Sequence, residues 1–258
     1  MRDERELDWR RHQRHEFRLP SDDLAPYVVR YWIVEWSYER PYRQLIVPYP
    51  NVHLVFRDGQ ASVSGVASRH AFRELDGDGR VLGVMFRPGR FRAFLGAPVR
   101  SLTDRTVPSA FPDLPGAVDV PAVEAMLRSC LPADPDPAAE LAAGIVETII
   151  ARPEITRVSV LAEETGRSPR QLQRLFAEHV GVGPKWVIRR YRLHEVTERM
   201  AAGGRIDWAA LAAGLGYADQ AHFVRDFTAM FGETPTGYAA RYHQEISRHR
   251  LAESPGST

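Results

Sequence analysis

GYADQAHFVRDFTAMF, residues 216–231, reads as a glycine-containing turn running into an amphipathic helix. Asp219 is placed to cap that helix, because its carboxylate can accept an otherwise unpaired backbone N–H and suits the positive end of the helix dipole. Phe223 and Phe227 follow four residues apart, with Met230 at the next helical step, so the three share one apolar stripe. The opposite face carries Gln220, Ala221, His222 and Arg225. An apolar back and a Gln/Arg front, opened by a short turn, are what a helix needs in order to enter the major groove of DNA. Any surface helix has a polar face, so this stretch alone is weak evidence.

The same pattern occurs twice. GRSPRQLQRLFAEHVGVGP, around Ser168, aligns with YADQAHFVRDFTAMFGETP, around Asp219. Leu172 matches Phe223, Arg174 matches Arg225, Phe176 matches Phe227, Gly181 matches Gly232 and Pro184 matches Pro235. Upstream, Leu161-Ala162 matches Leu211-Ala212 and Gly166 matches Gly216, with one extra residue in the second turn. Two copies of helix-turn-helix-Gly-x-x-Pro form an internal repeat of a structural unit. Between them the sequence predicts a helix over 184–202, stopped by Gly203-Gly204. Nineteen residues at ~1.5 Å each span about 28 Å. Successive major grooves on one face of B-DNA are about 34 Å apart, so such a rod could set two reading helices one turn apart.

The second copy, LAAGLGYADQAHFVRDF ending in Gly232-Glu-Thr-Pro235, resembles the C-terminal half of the AraC/XylS-type regulators, and LAEETGRSPRQLQRLF resembles that family's first helix-turn-helix. The resemblance covers about 110 residues. It implies double-stranded DNA as a partner, RNA polymerase as a second partner for an activator, and Gln220 and Arg225 in base-reading positions. From their faces, Arg170, Gln171, Gln173 and Arg174 join Gln220, Ala221, His222 and Arg225 as base-reading candidates. Arg forks suit guanine, Gln amides suit adenine, and Ala221 suits only a thymine methyl. Ser168, Lys185, Arg189 and Arg190 are candidates for phosphate, which positions a protein without specifying sequence.

The rest of the chain is read around this unit. Its 258 residues, 44% hydrophobic, can bury two modest cores. Basic and acidic residues number 34 and 33, so affinity for nucleic acid must come from local placement of arginine rather than from net charge. Lys185 is the one lysine. The single cysteine, Cys130, excludes an internal disulfide and a Cys-based zinc cluster, and reads as an inert helix residue. The charged start, MRDERELDWRRHQRHEF, is no signal peptide; it is expected to be a disordered tail or an arm that docks elsewhere. With no run of roughly 20 apolar residues, a soluble cytoplasmic protein with no membrane partner is expected.

Short strands are predicted at 27–34, 44–47, 52–56, 61–66 and 81–86, broken at Pro48, Pro50, Asp58-Gly59 and Asp76-Gly-Asp-Gly79 and followed by a short helix at 90–95. The expected fold class is α+β: a β-rich barrel- or sandwich-like domain over 1–131, a linker at 132–137 built on Leu131-Pro-Ala-Asp-Pro-Asp-Pro137, an all-α domain with two helix-turn-helix motifs over 138–250, and a disordered tail at 251–258. A helix at 121–131 before the linker packs internally or forms a homodimer contact. The order LAPYVVRYWIVEW, LIVPYPNVHLVF, VLGVMFRPG resembles an uncharacterised β-rich domain often fused ahead of AraC-type halves, although Pro48-Tyr-Pro-Asn stands where that family has a Pro-Asp-Gly turn. Trp32, Trp36, His53 and Arg87 are candidates for a small-molecule effector pocket, with aromatic area and an arginine for an anion. The bland alternative makes Trp32 core and Arg87 a turn residue. His53 and His70 lack the spacing of a cupin metal site, so neither metal nor cofactor is expected. Two further readings stay open: a DNA-repair alkyl-transfer protein, for which Cys130 is a poor nucleophile, and a front domain that contacts only proteins.

Overall fold

A computed structural model of the chain describes residues 12–112, 114, 118–132, 134, 136–202 and 206–241. The expectations for the first part of the charged arm, for the Gly203-Gly204 stop and for the tail lie outside these residues. The front half is built on one six-stranded antiparallel sheet in the order β1-β2-β5-β3-β4-β6. Its strands are β1 (Gln13–Arg18), β2 (Val28–Ile46), β3 (His53–Arg57), β4 (Gln60–Ser64), β5 (Ala71–Phe86) and β6 (Thr106–Pro108). Helices α1 (Arg92–Leu95) and α2 (Val120–Ser129) follow in the same half.

Four strands differ from the sequence expectation: the strands expected at 27–34 and 44–47 form one strand, β2; β1 and β6 have no expected counterpart; and β5 begins ten residues before the expected start at 81. Residues 13–17, assigned to the charged arm, form with Arg18 the edge strand β1, with Phe17 opposite Trp32 and Gln13 opposite Trp36. Asp76-Gly-Asp-Gly79, read as a turn, lies inside β5, where Gly79 faces Trp36 and Gly77 faces Tyr38. The reason is steric. A Cβ on Gly79 would stand 2.1 Å from the Trp36 indole, and one on Gly83 would stand 2.1 Å from that of Trp32. The glycines are the floor on which the two indoles lie. A register shift between Tyr38 and Tyr42 marks an irregularity in the β2–β5 ribbon.

Period-two alternation divides the sheet into two faces. Tyr31, Ile33, Leu54, Phe56, Leu82, Val84 and Phe86 belong to the main core. Val34, Trp36, Tyr38, Val55, Leu75 and Val81 gather in a separate cluster, with Trp32 packed against it.

The carboxyl-terminal half consists of α3 (Pro137–Ala151), α4 (Val158–Thr165), α5 (Pro169–His179), α6 (Pro184–Ala202), α7 (Trp208–Gly214) and α8 (Gln220–Phe231). Gly166 and Gly216, the matched glycines of the two copies, end the support helices with φ of 62° and 72°, a left-handed conformation that L side chains rarely adopt. Both halves share cores. Leu172, Phe176, Val187 and Ile188 join the main core of the front half. Leu45 and Val47 of the sheet domain pack with Phe223, Phe227, Met230 and Tyr238. The sequence boundary at the proline-rich segment is therefore not a boundary in packing. Asp136, at its end, caps α3 by accepting from the Ala138 N–H at 2.9 Å.

Candidate nucleic-acid interface and adjoining cavity

Helices α5 and α8 begin alike. Ser168 opens α5 with a capping box: its hydroxyl accepts the Gln171 N–H at 3.3 Å, and the Gln171 side-chain oxygen accepts the Ser168 N–H at 2.8 Å. Pro169 takes the first helical position, where a missing N–H costs nothing. Asp219 opens α8 by accepting the His222 N–H at 2.6 Å. Leu172 and Phe176 anchor the back of α5, as Phe223 and Phe227 anchor that of α8.

Arg170, Gln171, Gln173 and Arg174 all face solvent on α5, as do Gln220, Ala221 and Arg225 on α8. His222 is half-buried. Its ring stands edge-on to Tyr217 with centroids 5.2 Å apart, and its Nε2 is 3.6 Å from Asp226 Oδ2. Gln171 is partly committed, since its oxygen closes the capping box. Ser168 and Lys185 are exposed.

Two of the phosphate candidates are placed otherwise. Arg189 is half-buried and its Nη1 donates to Asp226 at 3.0 Å, fastening α6 to α8. Arg190 is 1% exposed. It donates through Nε to the Pro48 carbonyl, and its Cζ lies 3.9 Å from the centroid of the Tyr49 ring. Burial lowers its pKa, with no carboxylate opposite it to offset the cost. A guanidinium so enclosed cannot reach a phosphate, so Arg190 is a structural residue and not the phosphate contact expected from the sequence. The periodicity carried the warning, since Arg190 stands three residues from both Val187 and Leu193, which are buried on the same stripe.

The carboxyl ends of α5 and α8 are tied to the sheet domain. Arg92 donates to Glu178 of α5 at 2.9 Å, and Thr103 donates to the Gly181 carbonyl at 2.6 Å. The Ala229 carbonyl of α8 accepts from both the backbone N–H and Nδ1 of His70, each at 3.0 Å, so His70 carries its proton on Nδ1. Between them, Trp186 of α6 donates through Nε1 to the Ser68 carbonyl at 2.9 Å.

Those anchoring segments also wall a cavity of about 700 Å³ on the second face of the sheet. Pro48, Tyr49, Ser68 and His70 line it on the side of the helices; Trp32, Trp36, His53, Arg30, Arg57 and Arg73 line it on the side of the strands. Three of the four proposed pocket residues thus come together. Arg87 does not; it turns away and donates through Nε to the Ala25 carbonyl at 2.6 Å. Arg73 was missed because its strand was read as starting ten residues later. His53 accepts on Nδ1 from Trp32 Nε1 at 3.3 Å. Burial above all, with positive charges that include those of Arg73 and Arg30 adding to it, pushes its pKa down to about 3, so the ring is neutral.

Residues 161–241 match the model of a helix-turn-helix domain. The carboxyl-terminal half carries an AraC-type helix-turn-helix domain. Ahead of this AraC-type domain, residues 16–108 match a domain of unknown function, DUF6597. The HTH-type transcriptional regulator GlxA of Rhizobium meliloti is 36% identical over 90 residues, which are 35% of this chain and 27% of that protein. The chain thus spans about a quarter of the length of this curated relative. Among solved structures, ToxT from Vibrio cholerae is similar at a TM-score of 0.34 and 11% identity, covering 88% of this chain and 98% of that one. A second ToxT structure, from strain O395, gives 0.35 and 11%, covering 89% and 97%.

Cys130 caps the end of α2 beside Ser129. Among the described residues no group of three or more His, Cys, Asp or Glu is placed to hold a metal ion, and no helix is long and apolar enough to cross a membrane.

Proposed function

We propose that the protein is a sequence-specific transcriptional regulator whose α5 and α8 read two successive major-groove segments, under the control of a small molecule bound in the sheet-domain cavity. The observation that carries the reading is the likeness of the two helices. Each begins at a side-chain cap, presents Arg and Gln near its free amino end, and packs its carboxyl end against the sheet domain. Arg170, Arg174, Gln220 and Arg225 are the leading base-reading residues, with Lys185 on phosphate. Effector control is supported by shared residues, since Tyr49 and His70 line the cavity and also contact α6 and α8. A ligand that changes their arrangement acts on both helices through one wall.

Selection of bound duplexes from a random pool, followed by footprinting on the winner, tests the reading. Two protected major-groove segments about one helical turn apart are expected. A single protected segment, or binding without sequence preference, would overturn it.

A further inference from the structure

We propose that the cavity takes a small organic anion with a flat apolar body, its acid group held by Arg73 and its body laid against Trp32. This rests on the reading of the cavity as a ligand site and adds the chemistry of the ligand.

Charge is the first argument. Arg30, Arg57, Arg69, Arg73 and Arg105 line the cavity, and Asp104 is the one carboxylate among the lining residues. Asp104 is already engaged, accepting from the Ser68 N–H at 2.6 Å and the Ser68 hydroxyl at 2.7 Å. Arg57 shares its charge with Asp58 at 3.2 Å and stacks 5.0 Å over the Trp36 ring. Arg73 has no ion pair within 4.0 Å among the described residues. The surrounding protein, and then the like charge of Arg57, lower its pKa. An arginine with no ion pair among the described residues, beside further arginines, favours an anionic guest, and an arginine fork matches a carboxylate with two parallel hydrogen bonds.

Shape is the second. The indoles of Trp32 and Trp36 lie over Gly83 and Gly79, so the cavity floor is flat and aromatic. Phe17, Val55 and Leu75 extend the apolar lining. His53 is neutral and adds a polar ring without repelling an anion; with Nδ1 accepting from Trp32, its proton sits on Nε2. A volume of about 700 Å³ suits a ligand of one or two rings. Gln44, opposite Arg73 in the register and also lining the cavity, supplies an amide beside the proposed acid group.

Calorimetric titration of the full chain with indole-3-acetate, indole-3-acetamide and tryptamine isolates the charge, because the three share one ring system. Saturable binding of the acid is expected, with the amide weaker by about ten-fold or more and the amine weaker still. Arg73→Met should bring the acid down to the level of the amide while leaving the amide unchanged. Arg80→Met, on the same strand but outside the cavity, should change neither, and both variants should keep the wild-type circular dichroism. Equal affinity for acid, amide and amine overturns the proposal, as does an acid that fails to bind or binds unaltered to Arg73→Met. Binding of the acid with no change in DNA affinity would instead refute effector control and leave this ligand chemistry standing.

Discussion

Arg190 and Tyr49 face each other across the junction of the two halves, the guanidinium carbon 3.9 Å from the ring centroid. Arg190→Ala removes a large, fully buried side chain and should destabilise the protein by about 2–4 kcal/mol, measured by urea unfolding. Arg190→Met keeps most of the volume and removes an uncompensated charge, so its cost should stay below about 1.5 kcal/mol. A salt titration separates this structural role from contact with DNA. Lys185→Ala should lower the slope of log K against log salt by about 0.9, and Arg190→Met should leave it unaltered.

Arg174 and Arg225 occupy matched positions in the repeat and both are exposed. Replacing either with Ala should weaken binding at a selected site by about 1–3 kcal/mol, relax the preference at one base pair, and leave the unfolding midpoint unchanged. Fluorescence anisotropy at fixed salt reads the first two. Variants that bind as the wild type does would remove these residues from the interface.

The indole over Gly79 leaves no room for a methyl group. Gly79→Ala and Gly83→Ala should each cost about 1–3 kcal/mol through overpacking. Trp36→Leu combined with Gly79→Ala should cost less than the two single changes added together, because the shorter side chain relieves the clash. Thermal unfolding of the four proteins checks the cycle.

His53 supplies a pH dependence of known sign. Its folded pKa, near 3, lies below the ordinary histidine value of about 6.5. The unfolded chain therefore takes up a proton that the folded one refuses, and stability is full above pH 6.5 and lost as pH falls from there towards 3. His53→Gln, which keeps an acceptor for Trp32, should lose less stability over that window than the wild type. Equal losses in the two proteins, followed by denaturant unfolding at each pH, would show that His53 is not the group responsible.

The two helix-turn-helix units were legible because their signals are local. Ser168-Pro169 and Asp219 are caps, Gly166 and Gly216 are terminators, and the phenylalanine stripe repeats within one helix. The cavity was half legible. Trp32, Trp36 and His53 could be picked by residue type, but Arg73 could be found only by continuing β5 back through Asp76-Gly-Asp-Gly79. A run of Asp and Gly signals a turn unless an indole on the neighbouring strand needs the missing Cβ, and Trp36 is far from Gly79 along the chain. The contact of His70 with Ala229 left no local trace, since it runs through a carbonyl that every residue owns.

The shared packing of the two halves bears on how such a protein can be taken apart. Leu45 and Val47 cover Phe227 and Tyr238, while Leu172 and Phe176 rest in a core completed by strands of the front half. A fragment cut out at the proline-rich segment would carry two greasy scars into water, so grafting this DNA-reading part onto a foreign partner calls for a redesigned seam. The sheet half and the helical half hold each other's apolar faces out of water, so neither is a finished surface without the other.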